Sequence, residues 1–394
     1  MSSISARPTA DGALVPHGAL SVYVMVAMVA MAGPLYIDIM PAIIAALRTE
    51  YGLSAARSGY VAASNGYGST CGALAALFIV PRVPWRALSA GLLLALVAAD
   101  GATIGAHGFE TLMVLRFLHG VAGGMLVGTT YALLAQMADP RRGFGIVFIL
   151  HFGFGGLGIM ASVYAASLFR QGVVFAVLVA FSVVALLLLL RLPAFRQPGR
   201  RPPSLAAVRG GGWPVPLIAR IAGLFLFQAA NIGLGAFLIG IAVDFGHAAA
   251  FASTTVGLAL WAGVPGALLM LMISRRFGWM PLVPVVVAAG LSKLLVMTGA
   301  APALYALAVA AIFFTMAIAL PYAFALCARD DASGRAALLA GFSSKLGLAS
   351  GPAIAGLLYV HSATLLIGVA VGAVIVAAGL FAVSLRGAPR AERG

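Results

Sequence analysis

The chain has 394 residues, of which 62% are hydrophobic and 9% are charged. Soluble globular domains carry about 25% charged residues, so this composition excludes that class. The formal net charge of +14 does not indicate nucleic-acid binding, because the basic residues stand in short groups between apolar runs rather than in a stripe or a tail. We therefore expect an all-α integral membrane protein that binds no nucleic acid.

Twelve apolar runs, bounded by Arg, Pro, Gly and Asp, are long enough to cross a bilayer as helices. The residues before 19 form a short polar tail, and the apolar run after them is too long for a signal-peptide core, so we expect it to be retained as the first span. The predicted spans are 19–46, 55–80, 86–106, 110–137, 143–168, 172–192, 215–243, 251–274, 279–299, 302–328, 335–360 and 362–386.

The loops between these runs predict the orientation of the chain. If the N-terminus is cytoplasmic, the outer loops hold only Arg48, Arg57 and Arg170, and almost all the other arginines lie in inner loops and tails. Because cytoplasmic loops carry an excess of positive residues, we expect a multi-pass protein of the cell inner membrane with both termini in the cytoplasm.

The longest polar stretch, rich in Pro, Gly and Arg, begins at Pro193 and divides the chain. We expect a six-helix bundle over 1–192, a cytoplasmic linker over 193–214 and a second six-helix bundle over 215–394. The halves repeat each other, since Gly72 to Trp85 and Gly266 to Trp279 share seven identical residues at a constant offset, including Arg82 with Arg276. Such a repeat is typical of secondary transporters.

The fourth span gives a more specific signal. In order, Leu112, Arg116, His119, Gly120, Ala122, Gly123 and Gly124 follow the Leu-x3-Arg-x2-Gln-Gly-x-Gly-Ala-Ala pattern of the major facilitator superfamily, with His119 in place of Gln. Together with the twelve spans, the basic linker and the repeat, this pattern makes the whole chain resemble that superfamily. The resemblance implies twelve transmembrane helices in two six-helix repeats, the fold of that superfamily, and transport by alternating access. The fifth span lacks the Gly-Pro pair of the family's antiporters, which removes one argument for efflux.

Arg116 predicts a buried ion pair, because a charge inside an apolar helix is costly unless a counter-charge accompanies it. Asp38 in the first span is the preferred partner, and Asp100 in the third span lies at a similar depth and is the rival. The resemblance to drug/proton antiporters implies that an acid in the first span near this Arg couples transport to protons. A purely structural ion pair is the alternative. His119 is interpreted either as a proton relay or as a neutral, hydrogen-bonded histidine.

Several polar and aromatic residues are predicted to lie near mid-membrane. The polar residues either line a wet cavity that binds the substrate or join helices by hydrogen bonds, and the aromatic residues either form walls of that cavity or pack between helices. As a set the polar residues converge at one depth, which favours a cavity. These candidates are Tyr36, Asn65, His151, Gln228, Asn231 and Trp261.

The chain has two lysines, and both lie in apolar spans. Lys345 in the eleventh span is predicted to meet an anionic group of the substrate, with extension towards the interface or pairing with a carbonyl group as the alternatives. Lys293 is expected to extend towards the membrane interface, because ninth spans in this superfamily lie at the periphery.

Other classes of function lack their residues. No nucleophile with a base, no set of metal ligands and no GxxxxGK[ST] loop occurs, so we predict neither an enzyme nor an ATP-driven pump, and neither a cofactor nor a metal. We expect a monomeric secondary transporter whose partners are a small-molecule solute, protons and the lipid bilayer. The favoured solute carries an anionic or carboxylate group, and proton-driven drug efflux is the alternative.

Overall fold

A computed structural model of the protein describes residues 20–137, 139–164, 172–193, 215–329 and 335–386. All the regular secondary structure within these ranges is helical. The predicted linker at 193–214 lies outside them except for Pro193, and the division into two bundles at that linker stays a prediction.

The helices of the first half follow the six predicted spans. The first span is broken into three helices, and each of the others is one helix. Their bounds are Leu20–Met31, Leu35–Asp38 and Met40–Thr49 for the first span, then Ala55–Ile79, Trp85–Ile104, Phe109–Leu134, Pro140–Tyr164 and Val173–Arg191.

The helices of the second half follow the other six predicted spans. The eighth span of the chain is broken at Trp261, and the ninth ends in a 3₁₀ turn. The bounds are Val215–Asp244, then Ala249–Leu260 with Gly263–Phe277, then Leu282–Leu295 with Val296–Thr298, and finally Pro302–Ala328, Arg335–His361 and Ala363–Arg386.

Eight of the described helical segments are long and apolar enough to cross a membrane by themselves. The first and ninth spans consist of shorter apolar helices. The second and eleventh spans are long, but they are rich in Gly, Ser and Ala and are not among the eight. These two spans pack against each other across the boundary between the halves, so their lower hydrophobicity matches a position inside the protein.

Small residues set the distance between the second and eleventh spans. A β-carbon built at Gly59 would collide with the Pro352 carbonyl oxygen, and one built at Gly66 would lie 2.6 Å from Ala349 Cα. Tyr67 and Ser350 hydroxyl oxygens lie 2.8 Å apart across the same boundary. Close backbone approach through small residues is a common way to join membrane helices.

The two faces of the molecule differ. We call the face at which the first span begins and the last span ends the terminal face, and the opposite one the distal face. At the distal face Arg48 of the first half lies over the Tyr359 ring, 4.9 Å from its centroid, and the Tyr359 hydroxyl donates to Asp244 Oδ2. The two halves therefore contact each other at the distal face.

Candidate functional site: a cavity between the two halves

A cavity of about 650 Å³ lies between the halves. Its lining extends from mid-membrane towards the terminal face, where it reaches Ala135 and Phe144. Most of its wall is apolar, and it includes Phe313, Met316 and Leu320 of the tenth span. The polar and ionisable residues that line it are Asp38, Ser69, Tyr131, His151, Gln228, Asn231 and Lys345.

Asp38 and His151 form the charged wall of the first half. His151 Nδ1 lies 3.0 Å from Asp38 Oδ2, and the side chains are 33% and 3% exposed respectively. Asp38 ends the short helix Leu35–Asp38, and Ile39 after it has φ −94° and ψ 13°, so the carboxylate lies at a break in the first span. Gly155 leaves room for it, since a β-carbon there would lie 2.8 Å from Asp38 Cβ.

Lys345 forms the charged wall of the second half. It is half-buried and lines the cavity, and within the described residues it has no hydrogen bond or ion pair. Its neighbour Ser344 accepts a hydrogen bond of 3.1 Å from Gln228 Nε2. Asn231 lies one helical turn further along the seventh span and also lines the cavity. His151, Gln228, Asn231 and Lys345 thus line this cavity, and their role in substrate binding stays a prediction.

Arg116 pairs with Asp100 and not with Asp38. Arg116 Nη1 donates to Asp100 Oδ1 at 2.7 Å, and both side chains are fully buried. Nη2 donates to the Ala99 carbonyl oxygen at 2.9 Å and to Thr103 Oγ1. The preferred pairing with Asp38 is therefore wrong, and the rival partner holds the guanidinium. Spacing along two helices gives the depth of a residue but not the direction in which its helix turns it.

His119 belongs to the same buried cluster. Asn65 Nδ2 lies 2.7 Å from His119 Nδ1 and 3.2 Å from the Arg116 carbonyl oxygen. Because that amide nitrogen is a donor, we assign Nδ1 as the acceptor and place the ring hydrogen on Nε2, which lies 3.4 Å from Asp100 Oδ2. His119 is therefore held in the buried cluster by Asn65 and lies beside Asp100.

Tyr36, Asn65 and Trp261 do not line the cavity within the described residues. Tyr36 is buried, with its ring 5.3 Å from the His119 ring and 5.6 Å from the Arg116 guanidinium carbon. Asn65 joins the second and fourth spans. Trp261 is 40% exposed and donates from Nε1 to the Gly153 carbonyl oxygen at 3.3 Å. For Asn65 and Trp261 the helix-joining alternative describes the structure. Tyr36 packs its ring in the buried cluster, and within the described residues its hydroxyl has no hydrogen-bond partner.

Lys293 is the residue whose position the sequence interpretation missed. It is fully buried, and its Nζ donates to Asn231 Oδ1 at 2.8 Å and to the Ala289 carbonyl oxygen at 3.0 Å. The expectation that it extends to the interface is wrong, because its side chain crosses to the seventh span behind the cavity wall. Asn231 at mid-membrane is the signal that identifies its partner.

The arrangement of the site suits binding of a small amphiphilic solute rather than covalent chemistry. Asp38 with His151 lies on one wall, the unpaired Lys345 side chain lies on the other, and apolar side chains lie between them. Among the described residues no group of three His, Cys, Asp or Glu comes together as metal ligands. Cavities of this kind bind small molecules through apolar contacts and a few placed polar groups.

Solved structures that share this fold include several membrane transporters. The nucleoside transporter NupG (D323A mutant) superposes with a TM-score of 0.78 at 14% identity, covering 92% of this chain and 99% of its own. A D-xylose-proton symporter gives 0.73 at 15% identity, covering 92% and 96%. The POT family transporter PepTSo gives 0.70 at 14% identity, covering 93% and 97%. At these identities the likeness shows the fold alone.

No curated protein matches the chain. The profile of the family described as "Uncharacterised MFS-type transporter YbfB" matches residues 25–384, which is most of the chain. The members of this family are transporters and not enzymes. The resemblance noted in the fourth span is therefore confirmed, and the chain belongs to the YbfB-type family of major facilitator superfamily transporters.

Proposed function

We propose that this protein is a proton-coupled secondary transporter that moves a small organic solute bearing an anionic group, such as a carboxylate, across the inner membrane. The two halves rock about the central cavity and expose it to one side at a time. In this conformation the halves touch at the distal face, and the cavity extends towards the terminal face. With both termini cytoplasmic, as the arginine distribution predicts, the cavity faces the cytoplasm.

Lys345 is the observation that carries the preference for an anionic solute. It lines the cavity without an acidic partner in the described residues. A lysine within a membrane span is costly unless an anionic group pairs with it, and a carboxylate of the solute supplies that group. The apolar wall around it accommodates the body of the solute.

Asp38 with His151 is the proposed coupling site in place of Asp38 with Arg116. The pair lies at the cavity wall, and the first and fifth spans that carry it adjoin Leu260 of the other half at Gly155. Rocking of the halves therefore changes the surroundings of the Asp38 carboxylate, which favours proton uptake in one state and release in the other. The Arg116–Asp100 pair lies within one half, so the same motion leaves it intact.

Efflux of cationic compounds is the second candidate. The pairing of Arg116 with Asp100 favours it, because Asp38 is then not needed to neutralise the guanidinium and is available to attract a cation from the cavity. Against this, the Asp38 side chain is only 3% exposed and already has His151 beside it, whereas Lys345 is more accessible and unpaired. We therefore rank the anionic solute first.

A thermal-shift screen on purified protein separates the two candidates. A ligand that binds only the folded state at about one hundred times its Kd stabilises that state by about 2.7 kcal/mol. We expect organic monocarboxylates to raise the melting temperature, and Lys345→Gln to remove the effect while Asp38→Asn keeps it. Stabilisation by lipophilic cations such as tetraphenylphosphonium, lost in Asp38→Asn and kept in Lys345→Gln, would overturn the anionic preference.

A further inference from the structure

Lys293 is a buried basic side chain that has no role in the proposed mechanism. It lies in the ninth span, which packs against the tenth and twelfth spans at the outside of the second half. Its Nζ nevertheless lies 2.8 Å from Oδ1 of Asn231, a residue of the cavity wall. The amine is therefore separated from the cavity by a single side chain.

The hydrogen bonds of Lys293 match a neutral amine. An ammonium has three N–H donors, and a neutral amine has two. The two acceptors are Asn231 Oδ1 and the Ala289 carbonyl oxygen, and within the described residues Nζ has no third. An isolated buried charge is costly enough that such a group exists in its neutral form instead.

The surroundings of Lys293 offer no counter-charge. The side chain of Lys293 reaches the seventh span, and its helix packs against the tenth and twelfth spans. Their charged residues Arg220, Asp244 and Arg386 all lie at or near span ends, and the remaining ionisable groups within them are Tyr305, Tyr322 and Cys327. No carboxylate of the described residues lies within ion-pair distance of Lys293 Nζ.

We propose that Lys293 is a proton-binding site of the second half, neutral in the empty cavity and protonated when an anionic solute lies against Asn231. The amine accepts one proton from solvent and becomes an ammonium, whose charge the solute anion compensates through the Asn231 carboxamide. Asn231 Nδ2 donates to the Phe227 carbonyl oxygen at 2.7 Å, which fixes Oδ1 towards the lysine. The first state, the neutral amine, does not depend on any solute. The second state, the ammonium with bound solute, rests on the anionic solute of the proposed function.

The sequence makes the first state directly measurable, because the chain contains only two lysines. Protein labelled with ¹³C and ¹⁵N in lysine, in lipid nanodiscs, should give two side-chain signals. Lys345→Arg assigns them by removing one and keeping the charge. We expect the Lys345 signal to be that of an ammonium at neutral pH and the Lys293 signal to be that of an amine. A charged Lys293 signal throughout the pH range in which the protein is folded would overturn the proposal.

The second state is tested by adding the monocarboxylate that gives the largest thermal shift. The Lys293 signal should then change to that of an ammonium at the same pH, and binding should take up one proton per solute. Lys293→Gln should abolish the proton uptake and flatten the pH dependence of binding, and Lys293→Arg should flatten it as well. Solute binding with an unchanged amine signal would refute the coupling. If no carboxylate binds at all, the anionic solute fails while the amine signal of the empty protein still stands.

Discussion

The two halves share a six-helix plan but differ in whether their buried ionisable side chains are paired. Inside the first half Arg116 pairs with Asp100, and His151 lies beside Asp38. Inside the second half Lys293 and Lys345 have no acidic partner among the described residues, because the acids of its spans are confined to the end at Asp244. The first half satisfies its own ions, whereas the second requires an anion or a change in protonation.

This difference teaches which buried charges can take part in transport. A pair held within one rigid half, such as Arg116 with Asp100, is unchanged when the halves move, so it stabilises the bundle. In the proposed transport cycle, a group at the cavity wall or behind it, such as Lys345 or Lys293, changes its surroundings when solute enters or the halves move. Burial and charge alone do not distinguish these roles, and the position relative to the boundary between the halves does.

The largest effect is expected from breaking the buried pair of the first half. Asp100→Asn leaves the Arg116 guanidinium buried without a counter-charge, and we expect this to lower the free energy of unfolding by about 4 kcal/mol. The double variant Arg116→Met with Asp100→Leu should recover most of that loss in a denaturation experiment in detergent. A single variant that is as stable as the wild type would show that the pair does not hold the first half together.

Asp38→Asn should act on transport rather than on folding. Asp38 borders the cavity, so the neutral amide is tolerated, but the titrating group is lost. We expect proteoliposomes with this variant to lose solute accumulation driven by a pH gradient and to keep a wild-type melting temperature. Full gradient-driven accumulation would remove Asp38 from the coupling site.

A smaller effect is expected when the room for Asp38 is reduced. In Gly155→Ala the new methyl group would lie 2.8 Å from Asp38 Cβ and 2.6 Å from Leu260 Cδ2. Overpacking of this kind costs about 1–3 kcal/mol and should displace the carboxylate from His151. Gly153→Ala is the matched control on the same helix, since a β-carbon there meets nothing within 4 Å. Transport and melting temperature should fall only in the first variant, and an equal response of both would contradict the role given to Gly155.

The smallest effect concerns the distal contact between the halves. Tyr359→Phe removes the hydroxyl that donates to Asp244 and leaves the aromatic ring beneath Arg48. We expect a loss of about 1 kcal/mol, or roughly a fivefold shift away from the conformation closed at the distal face. The shift is measured by the extent to which an impermeant maleimide labels Ala42→Cys in a background without Cys71 and Cys327. Unchanged labelling would show that this contact does not hold the face closed.

The sequence predicted the order of the spans well and the directions of side chains poorly. Long apolar runs are readily recognised in a sequence, so the twelve spans follow from hydropathy. The motif around Arg116 identified the superfamily. Gly33 of the same broken span packs at the Gly123 backbone, which is a tertiary contact that the sequence does not show. The same limit explains why Tyr36 and Asn65 were expected in the cavity and Lys293 was not, since helical spacing does not show which neighbour a face meets.

Uptake of the best-binding monocarboxylate into proteoliposomes, with and without a pH gradient, tests the proposed contrast between the halves most directly when wild type is compared with Lys345→Gln. We predict accumulation in the wild type that requires the gradient, and no accumulation in a Lys345→Gln protein of normal stability. Undiminished, gradient-driven accumulation of the anion by Lys345→Gln would contradict the role of the unpaired cation in the second half.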